Sequence, residues 1–85
     1  MQKIINFSMK EICLSNAKLG QEYIISNVKL GEKIAIHLGV FGIEKFGKIK
    51  ILKHNYFKTS FLIKILNISY AIDRKICEGI FVFQG

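Results

Sequence analysis

The chain has 85 residues, 51% of them apolar, with two cysteines, no proline and no tryptophan; thirteen Lys and Arg against six Asp and Glu leave a net charge of +7. A chain this short buries only about 60% of the surface its unfolded form exposes, yet so apolar a composition excludes intrinsic disorder and supports a small core, folded alone or as a small oligomer. Cys13 and Cys77 are too few for a small secreted disulfide scaffold and read as reduced thiols of a cytoplasmic protein, while the uncharged stretch Ile34–Ile43 falls far short of the roughly 20 residues that span a bilayer.

Met1–Lys10 carries scattered lysines and no continuous apolar segment, unlike a signal peptide. No proline, repeat or low-complexity run marks an internal boundary, so residues 1–85 read as one domain, punctuated by glycines. Leu14–Gly20 fits a short helical turn or tight loop ahead of the first strand, Glu22–Val28, which turns Tyr23, Ile25 and Val28 inward.

From Gly31 the apolar spacing changes. Leu30, Ile34, Leu38 and Phe41 recur at intervals of three and four and predict a helix of two to three turns ended by Gly39 and Gly42. Ile36 and Val40 add a second apolar ridge, more than a lone amphipathic helix needs, so the helix either sits deep or meets something else.

After Gly47 the period becomes two. Ile49 and Ile51 predict one strand, Asn55–Ser60 a hairpin loop, Phe61, Ile63 and Ile65 a second strand, and Tyr70 and Ile72 a third. Asp73 can cap a helical turn running through Cys77 and closed by Gly79, and Ile80 and Val82 predict the last strand. Five short strands escape their edge problem by curling into a barrel, so the expected fold is mostly β: a small barrel of about five strands with a short helix inserted after the first.

Six lysines and no acid stand between Lys45 and Ile72, which predicts one positive side. Such a field attracts nucleic acid, anionic lipid or an acidic protein surface without choosing among them, and serves plain solubility as well. The same period of two turns Leu52, Leu62, Leu66, Phe81 and Phe83 outward. They form a partner surface unless the segment Ile4–Phe7 or the helix covers them.

Taken in order, these segments resemble the FeoA family, small cytosolic accessory proteins of bacterial ferrous iron uptake. Leu14, Ala17 and Gly20 stand at the spacing of the family's opening motif, Tyr23 and Ile25 follow as its first strand, and Leu38 to Gly42-Ile43 resembles its Leu-rich helix end. Ile49 and Ile51, then Phe61, Ile63 and Ile65, then Tyr70-Ala71-Ile72 fall on its next strands, and Arg74, Cys77, Ile80 and Val82 take the places of its Arg or Lys, Ala, Ile and Val. The chain departs from the pattern at Lys45-Phe46-Gly47, where the family has Pro-Gly, and at Lys58-Thr59-Ser60, where it has Gly-Asp-Pro; Gly31–His37 also lacks the family's Arg residues.

The resemblance implies an SH3-like barrel and a non-enzymatic regulatory protein whose partner is the FeoB-type membrane ferrous iron transporter with its GTPase domain. Under it, the helix Gly31–Phe41 and the loop after it supply the docking surface, the lysine face orients the domain near anionic lipid or an acidic partner, and the domain is peripheral to the membrane. The expected contacts are Leu38 and Phe41 at the helix end and Phe57 at a loop tip.

No nucleophile beside a base, no carboxylate pair and no metal-ligand spacing is present, so no catalytic, cofactor or metal residues are expected. His37, His54 and Cys13 are scattered singly; a lone histidine is most often a surface or satisfied residue, and Cys77 reads as a small buried side chain. Two other readings compete. SH3-like barrels also bind RNA, and Tyr56 and Phe57 beside Lys53, His54 and Lys58 would stack on single-stranded bases, although arginine is almost absent. The same barrel also occurs in metal-responsive repressors, but no helix-turn-helix stretch accompanies it here.

Overall fold

Residues 10–84 are described by the computed structural model, so Ile4–Phe7 and most of Met1–Lys10 lie outside the described residues. Six strands form one antiparallel sheet: β1 (Lys10–Cys13), β2 (Glu22–Val28), β3 (Lys48–His54), β4 (Ser60–Ile65), β5 (Ile68–Asp73) and β6 (Ile80–Gln84), in the spatial order β1-β6-β2-β3-β4-β5. A 3-10 turn at Leu14–Asn16 follows β1, helix α1 (Glu32–Val40) follows β2, and the short helix α2 (Arg74–Glu78) joins β5 to β6.

Alternation in the sequence becomes the core directly. Tyr23, Ile25, Ile49, Ile51, Phe61, Ile63, Ile65, Ile80 and Val82 all turn inward and are buried, and Leu14, Ile43 and Cys77 fill the ends of the same cluster. Burying such side chains contributes roughly 1.5–3 kcal/mol each, which makes the sheet the main source of stability. Bulges at Ile25/Asn27 and Ile51/Lys53 bend the ladder between neighbouring strands and let one sheet wrap around one core.

The sixth strand is a departure from the expected number. β1 runs Lys10↔Gln84 to Cys13↔Phe81 along β6, with Ile12 opposite Val82. Four residues with one inward aliphatic side chain carry too little alternation to announce a strand; the exposed edge of β6 makes it one. The helix accordingly follows the second strand of the chain rather than the first.

Two glycines are required by close packing. At Gly42 the backbone is left-handed (φ +92°) and a Cβ would lie 2.9 Å from Ile65 Cγ2, so any side chain there meets both strain and a core residue. Gly79 ends α2 with an ordinary φ of −92°, and it is glycine because a Cβ would collide with Leu30. At the other end of α2 Asp73 caps as expected, its Oδ1 accepting from Ile76 N–H at 3.0 Å.

Candidate docking surface

Gly31 (φ +84°) turns the chain into α1, and Ala35 N–H donates to Gly31 O at 3.0 Å. Leu38 is the one buried residue of this helix, 8% exposed. After it the chain folds back sharply: Phe41 N–H and Ile43 N–H both donate to Leu38 O, at 2.9 and 3.1 Å, which returns Ile43 to the core. Phe41 braces the helix sideways, with its ring edge-on to Tyr70 of β5 (centroids 5.2 Å apart) and to His37 (5.5 Å).

The second apolar ridge of the helix has no internal partner. Ile36 is 65% exposed and Val40 77% exposed, so α1 does not sit deep. Ile34 and Phe41 flank the Leu38 seam and are themselves partly open. Beside the helix, Glu44–Gly47 makes a turn in which Phe46 takes a left-handed conformation (φ +69°) and is largely exposed. An aromatic residue rarely accepts that geometry. Two backbone bonds to β2 hold it, Phe46 N–H to Ile25 O at 2.7 Å and Ile25 N–H to Gly47 O at 2.8 Å. Between helix and turn lies a shallow cavity of about 220 Å³ lined by Asn27, Val28, Ala35, Ile43, Glu44 and Lys45.

Of the three expected contacts, Leu38 and Phe41 share the C-terminal end of α1 and point differently. Leu38 faces the core and leaves little surface open, whereas Phe41 is partly exposed. Phe57 belongs to a separate element, the β3–β4 hairpin, where it is exposed and its ring meets Tyr56 edge-on at 4.9 Å. That hairpin is pinned by Asn55, whose Oδ1 accepts from Thr59 N–H (2.8 Å) and Ser60 N–H (3.1 Å). Phe46 went unread in the sequence because its significance is a backbone angle; the missing Pro-Gly was the one available signal.

The polar side chains form no reactive centre. Among the described residues no three His, Cys, Asp or Glu side chains gather as metal ligands, so His37, His54 and Cys13 are not brought together. His54 Nδ1 lies 2.9 Å from Asn55 O, and Cys13 Sγ sits 3.1 Å from Ser15 Oγ and 3.2 Å from Glu78 O. Burial, with smaller contributions from Cys13 and Glu78, pushes the Cys77 thiol up to about 12, which removes it as a nucleophile at neutral pH. No buried side-chain nitrogen or oxygen among the described residues lacks a hydrogen-bond partner. Ile36, Val40 and Phe46 leave an exposed apolar surface on α1 and the turn after it.

The model of the FeoA domain family matches residues 12–83, nearly the whole chain. The chain belongs to the FeoA family. That makes it a small accessory protein of ferrous iron transport, from a family that is not catalytic. Similar solved structures include the crystal structure of an iron uptake regulatory protein (FeoA), with a TM-score of 0.77 at 19% identity over 87% of this chain and 97% of that one. The solution structure of the FeoA protein from Chlorobium tepidum gives a TM-score of 0.78 at 21% identity over 85% of this chain and 69% of that one. ScaR, solved with bound Zn2+, gives 0.76 at 19% identity over 92% of this chain but only 38% of its own. These likenesses place the FeoA-family chain on an SH3-like fold that also forms part of a longer protein. No curated protein matches it in sequence. No described helix is long and apolar enough to cross a membrane.

At two of the three departures from the FeoA pattern the backbone takes the left-handed conformation that glycine normally supplies. Phe46 and Lys58 stand where the pattern carries glycine, and their φ angles are +69° and +56°. At Phe46 this places an exposed aromatic ring beside α1.

Proposed function

We propose that this FeoA-family protein regulates ferrous iron uptake by docking on the cytosolic, GTPase-bearing region of a FeoB-type membrane transporter, using the outer ridge of α1 and the Phe46 turn. The observation that carries the reading is the exposure of Ile36 and Val40: two aliphatic residues stand on a nine-residue helix that the core holds through Leu38 alone. A helix that short is marginal in isolation, and its outer apolar ridge contributes nothing to folding. Buried against a partner, each side chain would contribute roughly 1.5–3 kcal/mol to association.

The test is binding of the purified chain to the soluble GTPase region of the transporter from the same organism at moderate salt. We expect saturable binding, weakened at least tenfold by Ile36→Asp with Val40→Asp, and a melting temperature unchanged by the pair because both residues are solvent-facing. Absence of saturable binding, or binding indifferent to these changes, refutes the reading. Phe41→Ala serves as an intermediate case, since Phe41 both braces the helix and reaches the surface.

A second reading, RNA binding, is favoured by the β3–β4 hairpin tip. Tyr56 is 89% exposed and Phe57 is exposed beside it, with Lys53, His54 and Lys58 nearby in the chain. Nucleic-acid affinity there would fall steeply between low and moderate salt, whereas an apolar contact through α1 would not.

A further inference from the structure

The outward side of the central strands carries a pattern that the α1 surface does not use. Across β2, β3, β4 and β5, Glu22, Lys50, Lys64 and Ser69 stand directly opposite one another in a row, and in the next row Lys48 stands opposite Ile24. Lys48, Lys50 and Lys64 line one shallow cavity of about 350 Å³ with Glu22, Leu66 and Asn67. Glu22 is the one acid on it. Like charges directly across an antiparallel pair destabilise it, and Glu22 opposite Lys50 offsets only part of the Lys50–Lys64 repulsion, which an anionic surface would relieve further.

Aliphatic side chains flank these lysines. Leu52 and Leu62 lie on the same outward side, and Leu66 stands 78% exposed at the β4–β5 hairpin, held there in a left-handed conformation (φ +58°). This composition separates the candidate ligands. A lysine ammonium is a point charge without the planar fork that selects single phosphates or guanine edges. No aromatic ring lies in the cavity to stack on bases, and a shallow face on a sheet cannot enclose a small anion. Lysines around a protruding leucine instead match an interface where head groups are anionic and the layer beneath is apolar.

We propose that this face lies against an anionic phospholipid bilayer, with Lys48, Lys50 and Lys64 among the head groups and Leu66 entering the acyl boundary. The proposal uses other residues than the α1 ridge and stands whether or not α1 docks on a transporter.

Flotation with vesicles of phosphatidylglycerol and phosphatidylcholine in equal parts, against vesicles of phosphatidylcholine alone, tests it. The wild-type chain should bind the first and not the second. The triple variant Lys48→Ser, Lys50→Ser, Lys64→Ser should bind roughly a hundredfold more weakly, about fivefold per lysine. A control with the same change in charge, Lys18→Ser, Lys33→Ser, Lys75→Ser, should lose no more than about fivefold in total, because those exposed lysines lie on other elements. The face variant should melt within a few degrees of the wild type, since it removes the Lys50–Lys64 repulsion together with the pairing of Lys50 to Glu22, so its loss of binding reports the face and not the fold. The chain has no tryptophan, so Leu66→Trp supplies a single reporter whose emission should shift to the blue on the anionic vesicles. The proposal fails if phosphatidylglycerol gives no binding, if both triple variants lose it equally, or if Leu66→Trp shows no shift. Retention of a single-stranded RNA through the same three lysines without vesicle binding would overturn it in favour of nucleic acid.

Discussion

Phe46 combines two things a folded surface ordinarily avoids, an aromatic side chain open to water and a backbone angle reserved for glycine. Left-handed geometry costs a residue with a Cβ roughly 1–2 kcal/mol, partly offset by the extra chain entropy that glycine loses on folding. Phe46→Gly should therefore stabilise the protein by about 0.5–1 kcal/mol, read as a higher denaturant midpoint. If the turn docks on the transporter, the same variant should bind it more weakly. Stability and binding moving in opposite directions would mark strain retained for function; a gain in stability with unchanged binding would assign Phe46 to the scaffold. Lys58 has a similar angle, yet there Asn55 explains the loop's order, since its side chain ties Thr59 and Ser60 directly.

Among the elements α1 is the least secured. Its nine residues contribute Leu38 to the core, and Phe41 leans on Tyr70, while every strand of the β2-β3-β4 centre pairs on both sides. Local opening of α1 should cost much less than global unfolding. In native-state hydrogen exchange, the amides of α1 should exchange well before those of β3 and β4. Leu38→Ala should remove about 2–5 kcal/mol of packing and hasten exchange in α1 while leaving the sheet protected in the absence of denaturant. Uniform acceleration across sheet and helix would show instead that α1 unfolds only with the whole molecule. If α1 docks on a partner, Leu38 acts indirectly, by holding the helix that presents the Ile36 and Val40 ridge.

At the scale of the whole molecule the positive charge is unbalanced. The one ion pair among the described residues, Arg74 Nε to Glu78 Oε2 at 2.9 Å, is exposed and within one helix, a kind of contact worth only about 0.3–0.5 kcal/mol. Against it stands a net charge of +7 with adjacent lysines on the sheet face. Repulsion outweighs attraction, and salt screens both. The melting temperature should therefore rise by a few degrees from low to high sodium chloride, and the variant lacking Lys48, Lys50 and Lys64 should lose most of that dependence. A melting temperature that fell with salt would show that attractive pairs dominate.

The sequence by itself determined the inward set of the sheet, because a period of two leaves Tyr23, Ile25, Ile49, Ile51, Phe61, Ile63, Ile65, Ile80 and Val82 only one common side to share. The spacing of three and four placed α1, a short side-chain acceptor ahead of a helical turn placed the cap at Asp73, and the shared order of these motifs made the FeoA family legible. Tertiary structure alone decided the rest. β1 is a strand because the edge of β6 is open to it, and Gly79 is required because Leu30 arrives from elsewhere in the chain. The 3/4 spacing put Leu38 on one face with Ile34 and Phe41 and set Ile36 and Val40 apart on a second ridge, but it could not say how much of either ridge the core would cover. That choice depended on where the chain after Phe41 turns back to bring Ile43 into the core, a long-range packing constraint, and it buried the expected contact Leu38 and left Ile36 and Val40 in water.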